Sequence, residues 1–172
     1  MKRWLLTLTP LLALVVTATA LLGGRPAHAA VPLEGLQVTV TKSPWCGCCG
    51  DYIDILRQRG MEVTVIDTED TAGAKLALGV PPTTWSCHTT EVAGYAVEGH
   101  VPLEAIERLL SERPAVTGIA LPGMPAGSPG MNGVKSAPFQ VVAFDAGGVR
   151  LFEGDVQRAV SDLVGLELRL HL

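Results

Sequence analysis

The sequence predicts a single α/β domain, and three observations carry that reading. Short runs rich in β-branched residues alternate with runs of helical period. Gly and Pro punctuate the junctions between them. The 172 residues suit one domain and are too few for two comfortable ones. At 48% hydrophobic the chain is not mainly disordered, and at a net charge of −4 it carries no basic footprint for nucleic acid.

Those averages mix two unlike pieces. Lys2 and Arg3 precede an apolar run from Trp4 to Leu22, broken only by Thr7, Thr9, Pro10, Thr17 and Thr19, and Ala27-His28-Ala29-Ala30 follows. A basic start, an apolar stretch and a small-x-small site make residues 1–29 a secretory signal peptide, cleaved after Ala29. The competing reading is a retained anchor, because about 20 apolar residues can span a bilayer. Pro10, the threonines and the A-x-A site favour cleavage, and with no Cys beside the site a lipoprotein anchor is excluded. Removal takes Lys2, Arg3 and Arg25 but no acid, so the charge moves from −4 to −7 over the remaining 143 residues. A domain of that size buries enough surface to fold without disulfides. The four cysteines, all retained, are therefore candidates for chemistry, although export also permits structural disulfides. The expected location is the periplasm or another exported compartment, with no stable membrane insertion after the signal is removed.

Each element has a local reason. Leu36 to Thr41 alternates and is β-branched, so it reads as a strand, and Ser43-Pro44-Trp45 breaks it. Asp51 to Arg59 places Tyr52, Ile55 and Leu56 at helical spacing, with Gly60 as the stop. Glu62 to Asp67 is a second strand, and Thr71 to Leu78 a helix closed by Gly79. Two strands joined by a short helix suggest a parallel βαβ unit. Ser86 to Ala93 and Tyr95 to Glu98 read as two further strands around Gly94. Pro102 to Arg113 is a helix with Pro in its first turn and Leu103, Ile106, Leu109 and Leu110 on one stripe. The order βαβα-ββα is that of a thioredoxin-like domain. Residues 117–138, rich in Gly and Pro, read as an ordered or semi-ordered loop. Gln140 to Phe144 and Val149 to Phe152 form an added hairpin. A C-terminal helix is read from Val156, Ala159, Val160, Leu163 and Val164. The expected organisation is thus a signal at 1–29, a thioredoxin-like metal-binding domain at 30–155 and a helical extension at 156–172.

The chemistry concentrates at Trp45-Cys46-Gly47-Cys48-Cys49-Gly50, where a strand gives way to a helix. Exposed N–H groups and the macrodipole at a helix N-terminus favour a thiolate. Such a thiolate serves either disulfide exchange or soft-metal binding. W-C-G-x-C resembles the thioredoxin active site, with Cys46 and Cys49 as the redox pair, but Cys48 stands where thioredoxins usually have Pro. Three thiols within four residues suit Cu(I). A single ordinary disulfide from this cluster to Cys87 is the bland alternative. Cys87 would complete a four-thiol site. Next to it, His88 would point to the other face if both lay on a strand, so joint binding needs a bend or bulge. His100 sits at a strand-to-helix corner and can face the cysteines or cap local structure. Met124 and Met131 stand among Gly and Pro, where no apolar stripe explains them, and thioethers are soft ligands; the alternative is that they pack the loop onto the domain. Zinc is the rival metal, but its sites usually pair two C-x2-4-C halves, and here the second half is the lone Cys87. An iron–sulfur cluster fits the thiol count but not an exported protein. No phosphate loop, G-x-S-x-G or H-E-x-x-H is present.

Taken in order, K-S-P-W-C-G-C-C-G, L-G-V-P-P, S-C-H-T, G-Y-A-V-E-G-H-V-P and L-P-G-M-P-A-G-S-P-G-M resemble the CopG-type family of exported metal-binding proteins. The resemblance spans about residues 36–155. It implies a thioredoxin-like fold, a periplasmic location, and copper binding connected with copper resistance or redox handling. By position it implies Cys46, Cys48, Cys49 and Cys87 as the metal set, with His88, His100, Met124 and Met131 as further candidates. The expected cofactor is copper, as a multinuclear Cu(I) site in one form. The expected partners are copper ions and other periplasmic copper-handling proteins. The segment after about Asp155 departs from the family pattern. The second expectation, from a different class, is a thiol–disulfide oxidoreductase; the third is an exported structural domain with two disulfides.

Overall fold

The computed structural model describes residues 31–153. The expected signal peptide and the expected helix from residue 156 lie outside the described residues.

The described residues are mixed α/β, with three α-helices and one seven-stranded sheet among them. β1 (Gln37–Lys42) and β2 (Glu62–Asp67) pair in parallel, with α1 (Gly47–Gln58) between them in sequence. α2 (Thr71–Ala77) starts at Asp70, whose carboxylate accepts the Gly73 N–H at 2.8 Å. A 3-10 turn at Pro82–Thr84 leads to β3 (His88–Val92), which runs antiparallel to β1. β3 turns into β4 (Tyr95–Glu98) through Ala93-Gly94, both at positive φ, as a tight hairpin requires. α3 (Leu103–Glu112) follows, then β5 (Gly118–Ala120), parallel to β4. β6 (Val141–Asp145) and β7 (Gly148–Glu153) form the expected hairpin. The sheet order is β2-β1-β3-β4-β5-β6-β7.

One segment differs from the sequence expectation. Residues 117–138 read as loop throughout, yet they open with β5, which fills the sheet between β4 and β6. Its Gly-Ile-Ala is too short to show a period, and its three residues are all buried. Burial between two partner strands makes it a strand where local propensity gives no signal.

The sheet separates two apolar layers. Val38, Val40, Val92, Val97 and Ile119 face α1 and α3, meeting Tyr52, Ile53, Leu56, Ile106 and Leu109. Ala96, Ala120 and Phe144 face the other way, with Val80. Strand alternation then fixes which side each polar residue of β3 and β4 takes. His88 and Thr90 share the Val92 side; Thr89 and Glu98, paired in register, share the Ala96 side. No helix among the described residues is long and apolar enough to cross a membrane.

Candidate metal centre

The thiol cluster sits at the start of α1. The sequence expectation began this helix at Asp51, because the apolar stripe begins at Tyr52. The helix instead begins at Gly47, so Cys46 is its N-cap and Cys48 and Cys49 occupy its first turn. Thiols and glycines there replace the apolar residues that would have given a period. Cys46 and Cys49 form a disulfide, with Cα atoms 5.4 Å apart, while Cys48 and Cys87 are free thiols. The bridge therefore lies within the cluster and does not run to Cys87. Cys48 Sγ is 3.6 Å from Cys46 Sγ. The four sulfurs of Cys46, Cys48, Cys49 and Cys87 all lie within 4.8 Å of one another.

Cys87 also belongs to a second group, with His88 and His100, whose ligand atoms likewise lie within 4.8 Å of one another. The expected conflict between Cys87 and His88 does not arise, because β3 begins at His88 and Cys87 lies before it. Freed from the pleat, Cys87 Sγ approaches His88 Nδ1 to 3.2 Å and His100 Nε2 to 2.9 Å. His100 Nδ1 is 2.6 Å from the Pro129 carbonyl oxygen. A carbonyl only accepts, so Nδ1 carries the hydrogen and Nε2 presents its lone pair to Cys87. This is the arrangement that orients a metal-binding histidine.

Both imidazoles are fully buried. Burial, then the neighbouring His100 and Lys75, hold the His88 pKa down at about 3. Burial lowers His100 against the opposing pull of the Pro129 carbonyl and Asp51. Burial, then the adjacent Cys48, push the Cys87 thiol up to about 12. Two neutral imidazoles and a protonated thiol are thus held together without a charge, in a donor set that a soft cation could occupy by displacing the thiol proton. His88 Nε2 has no hydrogen-bond partner among the described residues.

Tyr52 walls the site from α1. Its ring lies 4.7 Å from the His88 ring and 5.4 Å from the His100 ring, and its hydroxyl donates to the Val101 carbonyl at 2.9 Å. Burial, then Cys87, raise its pKa above the usual phenolic range. The Gly/Pro loop closes the other side. Gly130 lies so close to α1 that a Cβ there would come within 2.7 Å of Tyr52 N and 3.1 Å of the Cys48 carbonyl oxygen. Met131 follows it and is half-buried; Met124 is exposed and follows Gly123, whose carbonyl accepts from Ser86 Oγ.

Sequence reasoning missed three contributors. Tyr52 reads as an ordinary core residue, and Pro129 acts through its backbone, which sequence does not advertise. Lys75 reads as a surface charge on a short helix, yet it is buried and ion-paired to buried Glu98, Nζ to Oε1 at 2.6 Å. A lysine flanked by Ala74, Leu76 and Ala77 was the available signal.

A family model described as "Protein of unknown function, DUF411" matches residues 84–131, the stretch holding Cys87, His88, His100 and the Gly/Pro loop as far as Met131. No curated protein matches the chain. Two solved structures are similar, named "Copper resistance protein copG", Form 1 and Form 2. Each is 40% identical and aligns over 70% of this chain and 98% of its own, with TM-scores of 0.64 for Form 2 and 0.65 for Form 1. At that identity and coverage, the chain belongs to the CopG family of copper resistance proteins.

Proposed function

We propose that this protein binds copper through reduced Cys46, Cys48, Cys49 and Cys87 with His88 and His100, and so contributes to copper resistance. The observation that carries the reading is the shared position of Cys87, one thiol within 4.8 Å of three other sulfurs and of two buried imidazoles. Thiolates select Cu(I) and imidazole accommodates copper in either state. A bridging thiolate at Cys87 allows more than one ion. Met124 and Met131, whose thioethers are soft donors, are further candidate ligands. The reduced dithiol of Cys46 and Cys49 can also supply electrons. Two thiols closing to the Cys46–Cys49 bridge release two electrons and two protons, which reduces two Cu(II) to two Cu(I). Export and a thioredoxin-like arrangement belong to the same reading. The parallel β1–β2 pair followed by antiparallel β3 and β4, in the order β2-β1-β3-β4, supports the latter.

Anaerobic Cu(I) titration of the reduced chain tests this reading. Wild type is expected to take up copper with strong affinity, and Cys46→Ser and Cys87→Ser each to lose stoichiometry or affinity. Unchanged uptake in both variants overturns it.

A second reading, thiol–disulfide exchange on proteins, is favoured by the Cys46–Cys49 bridge at the N-terminus of α1 beside Trp45, which is 85% exposed. Insulin reduction by the metal-free chain separates the two: fast turnover that copper merely inhibits supports exchange.

A further inference from the structure

The Cys87-His88 pair is gripped from beneath, on the side of the sheet away from the histidines. Glu98 is fully buried on that side. Its Oε1 accepts the Ser86 backbone N–H at 2.6 Å, and its Oε2 accepts the Thr89 hydroxyl at 2.5 Å. Ser86 precedes Cys87 and Thr89 follows His88, so one carboxylate holds both flanks of the pair. Lys75, from α2, donates to the same Oε1 at 2.6 Å and to Thr89 Oγ1 at 3.2 Å. The next residue, Gly99, donates its N–H to the His88 carbonyl at 2.9 Å. Gly99 has φ +78°, and a Cβ there would stand 2.5 Å from Ser86 Oγ. His100 then reaches over to Cys87 from above. The three residues Glu98-Gly99-His100 clasp the four residues Ser86-Cys87-His88-Thr89 on both faces of the sheet.

From this we infer that Glu98, neutralised by Lys75, is a positioning residue that sets the Cys87–His88–His100 half of the centre, while the C-x-C-C half on α1 does not depend on it. Glu98 touches no sulfur and no imidazole. Its carboxylate accepts three hydrogen bonds, and two of them fix backbone or side chain on either side of the ligands. Buried carboxylates bonded this fully are rigid anchors, and loss of such a supporting partner behind a metal ligand typically weakens binding about 10- to 100-fold. By contrast, Cys46, Cys48 and Cys49 take their places from α1 and its cap. The two halves are therefore separable by mutation on the far side of the sheet.

The inference rests on the copper reading for its metal readout, and a copper-free readout keeps the two apart. The double variant Lys75→Met/Glu98→Met removes both charges together, and buried pairs replaced in this way often leave stability nearly unchanged or raised. The reduced full-length chain is compared with wild type by the 15N shift of His100 Nε2 without copper, and by Cu(I) affinity and X-ray absorption with it. The expected double variant is folded, with a moved His100 Nε2 shift. Its Cu(I) affinity falls about 10- to 100-fold, with nitrogen scatterers and the Cys87 sulfur lost and the three sulfurs of the C-x-C-C half retained. Lys75→Met/Glu98→Gln, which keeps an oxygen for the Ser86 N–H and leaves no buried charge unpaired, is expected to restore most of the wild-type signal. A folded double variant with wild-type shift and affinity overturns the inference. If the double variant does not fold, Thr89→Val decides by the same readouts: a moved shift and weaker binding support the clasp, and wild-type values overturn it. If wild type binds no Cu(I), the copper reading falls and the His100 shift alone decides the clasp.

Discussion

Cys87 Sγ lies 2.9 Å from His100 Nε2, across 13 residues of sequence. The β3–β4 hairpin and the turn after Glu98 bring them together, and the same imidazole donates from Nδ1 to the Pro129 carbonyl at 2.6 Å. One ring thus ties a thiol to the Gly/Pro loop. His100→Ala removes both contacts. It leaves the Pro129 carbonyl without its donor, which costs about 1–3 kcal/mol where that group stays buried. The expected outcome is faster amide exchange at Gly130 and Met131 in the copper-free chain, together with weaker Cu(I) binding. Hydrogen-exchange mass spectrometry checks the first and competition titration the second. A loop as protected as in wild type would show that the His100 hydrogen bond does not hold it.

Gly130 has φ +77° and faces the first turns of α1 across less space than a methyl group needs. In Gly130→Ala the backbone stays in a region that costs an L-residue roughly 1–2 kcal/mol, and the added carbon would press on Tyr52 N. Overpacking against backbone costs about 1–3 kcal/mol more. The loop is expected to lift away from α1, carrying the Pro129 carbonyl from His100. A lower melting temperature should accompany a moved His100 Nδ1 resonance. Wild-type stability with an unmoved resonance would mean that the close approach is not maintained in solution.

How much of this was legible in the sequence follows a physical division. Strand and helix order came from periodicity, which β1, β2, α3 and the β6–β7 hairpin display strongly. The thiols and histidines were legible by residue type. The start of α1 was not, because Gly47-Cys48-Cys49-Gly50 has no apolar stripe to reveal a helical turn. β5 was hidden because three residues cannot show a period, and its place is fixed by long-range pairing with β4 and β6. The Cys46–Cys49 pairing was legible only as the redox pair of the thioredoxin resemblance, because three neighbouring cysteines left a bridge to Cys87 open as well. The Lys75–Glu98 pair and the Pro129 carbonyl depend on contacts 23 and 29 residues apart, which no local pattern encodes.

The pH dependence of the copper-free chain follows from two displaced groups. His88 ionises near 6.5 when ordinary and near about 3 in the fold, owing first to burial, then to His100 and Lys75. Between those values the unfolded chain binds a proton that the folded chain refuses. Stability therefore falls as pH drops from about 6.5 towards 3, by at most about 1.4 kcal/mol per unit from this group. His100 is displaced in the same direction and adds to the slope. Cys87 behaves oppositely, rising from 9.0 to about 12 through burial and then Cys48. There the unfolded chain loses its proton first, so stability falls as pH rises from about 9 to 12. Urea melts across pH should show a maximum between these windows. His88→Gln is expected to flatten the acid limb and Cys87→Ala the alkaline limb. An acid limb unchanged in His88→Gln would mean that another group governs it.

Lys75 and Glu98 are both buried, with the ammonium and carboxylate 2.6 Å apart. Lys75→Met alone strands the carboxylate where water cannot reach it. Removing one partner of a buried pair costs about 3–5 kcal/mol, whereas removing both together is often neutral. The single variant is therefore expected to melt well below both wild type and Lys75→Met/Glu98→Met. The coupling between the two sites, measured by a double-mutant cycle in urea, should be favourable and large compared with the 0.2–1 kcal/mol typical of exposed pairs such as Arg57 with Asp54, 3.4 Å apart. The comparison isolates the unpaired charge, because the double variant deletes the same lysine and the same contacts to Thr89. A single variant no less stable than the double would show that Glu98 finds another cation or takes up a proton. The Ser86 backbone N–H, still bonded to Glu98 Oε1, would then be the contact that keeps Cys87 in place.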